Sequence, residues 1–287
     1  MKKVAVIGAG PSGITAIKNF IDEGFDVTAF ERCDGVGGNW RFNDPSGHSS
    51  VFETTHIISS KYTSFYEDYP LPDDASDYPS HKELLSYFDG YAEHFDIKKN
   101  IKFGTEVLSC KQLPNGRWLL KYKHLDGNDE ITLEFDALVV CNGHHHVPRY
   151  PEYKGEFSGE YIHSHDYKRA APFENKRVLV IGGGNSACDV AVETSRISQE
   201  TSLSWRRGYH LVPKFMYGLP ADVFAKRSRW IPQFLRIPFM KYMLERYQGK
   251  NEDIGLPKVT NKMLATHPTV NSAVSYTHLT LPTISDV

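Results

Sequence analysis

The residues whose types and spacing could do chemistry gather first at Gly8-Ala9-Gly10-Pro11-Ser12-Gly13. This GxGxxG sequence directly follows the apolar run Val4-Ala5-Val6-Ile7. The first glycine permits a tight turn, the second lets a pyrophosphate approach the backbone, and the third lets helix and strand pack closely. The helix that starts here offers unpaired N–H groups and a partial positive charge to an anion. Pro11 lacks an N–H but pre-sets φ for helix entry. Glu31 ends the next apolar run, 18 residues after Gly13. A carboxylate there accepts ribose hydroxyls and repels a 2′-phosphate, so the first turn reads as a dinucleotide site that disfavours NADP.

The pattern returns at Gly182-Gly183-Gly184-Asn185-Ser186-Ala187, a GxGxxA turn after Val178-Leu179-Val180-Ile181. No acid ends the following strand; Ser204-Trp205-Arg206-Arg207 stands there instead. An arginine at that point can pair with a 2′-phosphate through charge-assisted hydrogen bonds, which favours NADPH over NADH. Arg206 is the first choice for that role, and Arg207 is equally well read as a solvated loop charge. The two turns begin 174 residues apart. That separation suits two nucleotide-binding domains rather than a solenoid repeat.

The elements that must hold these turns follow from the apolar pattern. Val4 to Ile7 reads as a buried parallel strand, followed by a helix over about 14–23 and a strand over 26–30. This is one βαβ unit of the usual size. A loop rich in Pro, Asp and Tyr runs over 62–79, and a helix over 81–95 carries Leu84, Leu85, Phe88, Tyr91, Ala92 and Phe95 on one face. Residues 101–135 read as a three-stranded antiparallel meander with turns at Pro114-Asn115-Gly116 and Asp126-Gly127. An apolar strand over 136–141 closes on Asn142-Gly143. A second βαβ unit spans the strand at 178–181, a helix over about 186–195 and a strand near Leu203. The aromatic and basic stretch from Pro213 to Lys250 reads as helical.

Composition removes several function classes. The 287 residues leave room for about two domains. A formal net charge of −2 provides no global basic field for nucleic acid. The four cysteines, Cys33, Cys110, Cys141 and Cys188, form no CxxC pair. A disulfide framework and a thioredoxin-reductase-like redox centre are therefore not expected. His144-His145-His146 cannot easily converge on one ion, so no metal is expected. No apolar run approaches the roughly twenty residues of a membrane span, and a soluble, cytoplasmic protein is the expectation.

Between the two turns lies Phe157-Ser158-Gly159-Glu160-Tyr161-Ile162-His163-Ser164-His165-Asp166-Tyr167, an FxGxxxHxxxY sequence. It resembles the fingerprint of the flavin-containing monooxygenases, whose Baeyer–Villiger relatives usually end theirs in Trp. Gly37-Gly38-Asn39-Trp40 resembles that family's segment next to the flavin, and Val140-Cys141-Asn142-Gly143-His144-His145 resembles the strand and turn before its linker. The resemblance runs from Met1 to about Gly208. It implies FAD at Gly8, Ala9, Gly10, Pro11, Ser12, Gly13, Glu31, Asn39, Trp40 and Gly143. It implies NADPH at Gly182, Gly184, Asn185, Ser186, Ala187, Asp189, Arg206 and Arg207.

The activity so implied is oxygenation of a soft nitrogen or sulfur atom of a small molecule by O₂ and NADPH, through a C4a-hydroperoxyflavin. Ketone oxygenation of the Baeyer–Villiger type, or an inactive dinucleotide-binding fragment, are the alternatives. A homodimer stays open. The sequence departs from the family pattern at Ile58, where many members place an Asn beside the flavin. Ser59, Ser60 and His56 are the candidates to supply the missing hydrogen bonds. The expected fold is α/β, with two Rossmann-like dinucleotide-binding domains, the first carrying the meander as an insertion. The domain boundaries are 1–150 for FAD and 151–271 for NADPH, with the linker fingerprint at 157–167. The resemblance implies that C-terminal residues completing the FAD domain are missing. The segment 272–287 shows no periodicity, resembles translated adapter sequence and is expected to be non-native.

Overall fold

Both apolar runs that precede a glycine turn form strands of parallel sheets, in separate units of the chain. The computed structural model describes residues 1–254, 256–263, 269–271 and 283–284. Most of the expected non-native segment 272–287 therefore lies outside the described residues. One unit comprises Met1–His56, Tyr66–Ala75 and Pro79–Lys168, and the other Ile57–Phe65, Ser76–Tyr78 and Arg169–Val287. Both combine parallel strands with helices, an α/β architecture.

In the first unit β1 (Lys3–Ile7) lies between β2 (Asp26–Phe30) and β7 (Ala137–Val140), with β3 (Ile101–Lys102) outside β2. All three pairings are parallel. Parallel neighbours need a crossover, and α1 (Pro11–Asp22) supplies the one from β1 to β2. The helix begins earlier than the apolar periodicity suggests, because Pro11 stands at its first position, where a missing N–H costs nothing. It ends at Gly24, φ +79°, whose N–H donates to Ile21 O while Phe25 N–H donates to Phe20 O. These two bonds satisfy carbonyls that the helix end would otherwise leave unpaired.

Three antiparallel strands follow: β4 (Thr105–Gln112), β5 (Trp118–His124) and β6 (Glu130–Phe135). The expected meander over 101–135 thus starts later, since Ile101 and Lys102 continue the parallel sheet instead. Lys102 O accepts Glu31 N–H, and Gly104, φ +59°, then turns the chain away. Leu120, Tyr122 and Phe135 of the meander pack with Ala5 and Phe30 of the sheet in one buried cluster. The Phe30 and Tyr122 ring centroids are 4.9 Å apart.

Helix α2 (His81–His94) opens with a reciprocal cap between Ser80 and Glu83 and buries Leu84, Tyr87, Phe88, Tyr91 and Ala92. Tyr66 and Tyr69 of the preceding loop lie against it, with the Tyr66 and Tyr91 centroids 4.7 Å apart.

In the second unit β8 (Arg177–Ile181) pairs in parallel with β9 (Glu200–Ser204), joined by α3 (Asn185–Ser195). Cys188, Ala191 and Val192 of α3 pack on Leu203, Trp205, Leu211 and Leu256. The apolar run repeats that of β1, but Leu179 and Ile181 stay about half-exposed on the face away from α3. β10 (Leu211–Val212) precedes the stretch read as helical, and that stretch holds two short strands, β11 (Phe215–Met216) and β12 (Leu219–Pro220), before its helices α4 (Ala221–Arg227) and α5 (Gln233–Gln248). Tyr217 and Gly218, both at positive φ, make the two-residue turn between β11 and β12. Further on, β13 (Thr269–Val270) pairs with β10 and β14 (Thr283–Ile284) with β9. Among the described residues no helix is long and apolar enough to cross a membrane.

Leu120 is fully buried where the meander meets the sheet. Leu120→Ala should cost about 2–5 kcal/mol, read as a lower midpoint in denaturant unfolding. An unchanged midpoint would show that the meander contributes little to holding this unit together.

Candidate functional site

The first glycine turn is shaped by contacts that leave no room for side chains. Gly8 has φ +96°, and a Cβ on it would stand 2.5 Å from Cys141 O. A Cβ on Gly13 would stand 2.0 Å from Gly8 O. Any side chain at Gly13 would therefore force α1 off the turn. Gly8 N–H donates to Phe30 O at 2.8 Å, so the turn is also tied to the end of β2.

Glu31, buried at 6% exposure, reaches back over that turn. Its Oε2 accepts Ala9 N–H at 2.6 Å and its Oε1 accepts Cys33 N–H at 2.9 Å. Each carboxylate oxygen keeps further lone-pair capacity for a hydroxyl donor. The carboxylate is thus fixed in place by the backbone it serves.

The Gly37-Gly38 pair explains itself sterically. Gly37 N–H donates to Ala9 O at 3.1 Å, and a Cβ on Gly38 would meet Gly10 Cα at 3.0 Å. Two backbone segments therefore close on the turn without side chains between them. Asn39 holds the next loop: its Oδ1 accepts Ser50 N–H at 2.9 Å and Ser50 Oγ–H at 3.0 Å. Trp40 completes the short helical turn Gly38–Trp40 and is half-buried. Gly143 follows β7 at φ +71°, with nothing within 4 Å of its would-be Cβ. Tyr66 Oη–H donates to Pro11 O at 2.8 Å, which anchors the aromatic loop on the start of α1. Ser12 is exposed in the first helical turn. That turn carries N–H groups without intrahelical acceptors, a donor set that fits a phosphate.

The fingerprint lies within the first unit, where Phe157 stays exposed and the far end of the motif packs. Tyr167, 2% exposed, meets Phe52 edge-on at 5.5 Å. His163 Nδ1 accepts His165 N–H at 3.1 Å, and His165 Nδ1 pairs with Asp166 at 2.8 Å. The candidates around Ile58 divide between the units. His56 belongs to the first, with its Nδ1 2.9 Å from Thr54 O. Ile58, Ser59 and Ser60 belong to the second. Ser59 Oγ accepts Ser64 Oγ–H at 2.6 Å. Ser60 is fully buried, and both its N–H (2.8 Å) and Oγ–H (2.9 Å) donate to Asp222 Oδ2. Thr63 Oγ1–H donates to the same oxygen.

The second glycine turn repeats the first with looser sterics. Gly182 N–H donates to Ser204 O at 3.0 Å, the counterpart of the bond from Gly8 to Phe30. The position matching Gly13 is Ala187, whose methyl the second turn accommodates, and even a Cβ added at Gly182 would come no nearer to it than 3.4 Å. The Tyr209 ring covers Gly183, while Gly184 faces open space. Ser186 is exposed at the start of α3. Arg206 and Arg207 are both exposed, and the Arg207 guanidinium lies 5.7 Å from the Tyr209 ring centroid. Asp189 is half-buried, and its Oδ1 accepts Asn271 Nδ2–H at 2.5 Å. Burial, and after it the charge of Glu193, push the Asp189 carboxyl up to about 7 against the Asn271 hydrogen bond. Among the described residues no group of three His, Cys, Asp or Glu could hold a metal ion.

Asp222 and the segment Thr269–Asn271 escaped the sequence reading, since their partners are far away in the chain. A carboxylate at the start of a short helix was the one local sign of Asp222.

Residues 1–280 match the flavin-binding monooxygenase-like family. The chain belongs to that family. It is 38% identical over 286 residues to the N-oxide-forming dimethylaniline monooxygenase 2 of Oryctolagus cuniculus, covering 94% of this chain and 53% of that protein. The chain thus spans about half the length of the curated relatives it matches. The structure of S-allyl-L-cysteine S-oxygenase from Allium sativum superposes with a TM-score of 0.67 at 30% identity, covering 71% of this chain and 51% of the other. Cyclohexanone monooxygenase from Rhodococcus sp. Phi1, bound to NADP⁺, shares the fold at 19% identity with a TM-score of 0.69, over 99% of this chain and 64% of the other.

Two outcomes follow from the turns. Gly13→Ala should destabilise the first unit by about 3 kcal/mol or more through overpacking. Ala187→Gly, in the matching position of the second turn, should cost only about 1 kcal/mol. Denaturant unfolding of both variants checks the contrast, and equal losses would contradict it.

Asp189 gives a pH signature. Its folded pKa of about 7 lies above an unfolded value of about 3.9, so the folded state holds the extra proton. Its contribution to stability is complete below the unfolded value and is lost as pH rises through about 7. Asp189→Asn, which keeps an acceptor for Asn271, should melt a few degrees above wild type at about pH 8.5, and the gap should close towards about pH 4. A gap independent of pH would contradict the assignment.

Proposed function

We propose that the chain holds FAD on the first glycine turn and NADPH on the second, as two dinucleotide-binding domains joined near the fingerprint at 157–167. In this reading it serves oxygenation of nitrogen or sulfur atoms of small molecules by O₂. The observation that carries the reading is the difference in charge within two residues of two equivalent strand ends. Both turns donate their first glycine N–H to the end of the following strand, at Phe30 and at Ser204. Just beyond, one offers buried Glu31 and the other exposed Arg206. A carboxylate suits free ribose hydroxyls and repels a 2′-phosphate, whereas a guanidinium binds one.

Once bound, the cofactors would supply the hard chemistry, a hydride donor in NADPH and in FAD a hydride acceptor able to react with O₂. The chain's residues bind and orient. Glu31, fixed by Ala9 and Cys33 N–H, meets the ribose, and the N–H groups at the starts of α1 and α3 meet pyrophosphates. Asn39 and Trp40 would border the flavin, with Asn39 pinned by Ser50. Ile58 offers no hydrogen bond where the resemblance expects an Asn. Ser59 and Ser60 are committed to Ser64 and Asp222, so no catalytic side chain is assigned. The choice of nitrogen or sulfur is supported by the relatives' names, one forming N-oxides and another oxygenating the sulfur of S-allyl-L-cysteine.

NADPH consumption under O₂ with a tertiary amine, a thioether and a ketone tests the activity. Turnover with amine or thioether is expected, and turnover with the ketone alone would overturn the substrate class. Arg206→Ala should raise KM for NADPH by about tenfold or more, the loss of a charge-assisted hydrogen bond. It should leave KM for NADH nearly unchanged. Equal effects on both would remove Arg206 from the 2′-phosphate.

A further inference from the structure

Three successive residues far downstream close against the second glycine turn. Thr269 N–H donates to His210 O at 3.0 Å and Asn271 N–H to Val212 O at 3.1 Å, which forms the ladder with β10. Alternation along the strand turns the Val270 N–H the other way, and it donates to Asn185 Oδ1 at 2.7 Å. Thr269, 2% exposed, donates its Oγ1–H to Gly183 O at 2.8 Å. Asn271, 5% exposed, holds Asp189 on the next turn of α3.

A backbone N–H can only donate, so the Asn185 amide must present its oxygen to Val270. Its Nδ2, with two N–H groups, is then the end offered to a ligand at the first position of α3. The neighbouring N–H groups of Ser186 and Ala187 lie in the first helical turn and lack intrahelical acceptors. A reversed amide would put a carbonyl oxygen beside them and repel an anion. The Thr269 bond acts in the same sense. The peptide unit is planar and trans, so drawing Gly183 O towards Thr269 sends the Gly184 N–H the opposite way.

We propose that Thr269–Asn271 is a positioning strap for the second dinucleotide site. Val270 N–H fixes the Asn185 amide as a pyrophosphate donor, while Thr269 and Asn271 hold Gly183 and α3 in register with it. The strap rests on the reading of the second turn as a dinucleotide site. Its residues act through Gly183, Asn185 and Asp189 and need not touch the ligand.

Val270→Pro removes the N–H to Asn185 and leaves both ladder donors in place. Calorimetric titration of the purified chain with NADP⁺ should give a Kd raised about tenfold, the loss expected for one hydrogen bond to a charged group. Adenosine 2′-phosphate, which lacks the pyrophosphate, should bind as to wild type, a split that general loosening of the fold would not produce. Asn185→Ala should weaken NADP⁺ to a similar degree, and the double variant should be no weaker than the worse single one. Should circular dichroism show Val270→Pro unfolded, Thr269→Val takes its place, with NADP⁺ weakened about threefold and adenosine 2′-phosphate unchanged. Wild-type affinity for NADP⁺ in the strap variants, or losses that add in the double variant, would overturn the strap alone. A wild-type chain that binds neither probe would overturn the second-site reading and the strap with it.

Discussion

Gly13 lies so close beneath Gly8 that a single methyl group would collide with the Gly8 carbonyl at 2.0 Å. That approach lets α1 start directly under the turn, and the crossover from β1 to β2 depends on it. The same economy of side chains lets Cys141 O press on Gly8 and Gly38 press on Gly10. Three stretches of backbone meet at one point, and Glu31 is brought over it by the end of β2. The second unit uses a relaxed version, with Ala187 in place of the third glycine. The strictness of the first turn is thus a packing requirement of its own strands and helix, separate from what it binds.

Electrostatics then distinguish two sites whose backbones are alike. The first turn is served by a buried carboxylate that accepts N–H groups on both oxygens, so its orientation is set before any ligand arrives. Beyond the strand that follows the second turn stand Arg206 and Arg207, both exposed, with Arg207 lying over Tyr209. A rigid acid suits hydroxyl recognition, which needs direction. An exposed guanidinium suits a doubly charged phosphate, which needs mainly charge and a fork of donors.

The parts of this arrangement readable in the sequence are those made by residues near one another in the chain. Each glycine turn lies within about thirty residues of its crossover helix and of the strand that follows, Glu31 included in the first case, and that spacing carries the geometry. The Gly37-Gly38 pair was recognisable only by resemblance. Its cause, contact with Ala9 and Gly10, appears once the loop is folded back. Long-range hydrogen bonds were out of reach: Ser60 finds Asp222 162 residues away, and Thr269 finds Gly183 86 residues away. Nothing in local periodicity marks such a partner. The half-exposed face of β8 was out of reach for a related reason, because an all-apolar strand does not say how many of its faces are covered.

The central claim is that one chain holds both cofactors, with flavin on the turn near Glu31 and NADPH on the turn near Arg206. Anaerobic mixing of the FAD-reconstituted protein with NADPH or NADH, followed by the visible absorbance of the flavin, tests it most directly. The account predicts rapid loss of the oxidised flavin spectrum with NADPH and much slower loss with NADH. A protein that takes up no FAD, or whose bound flavin keeps its colour in excess NADPH, would contradict it.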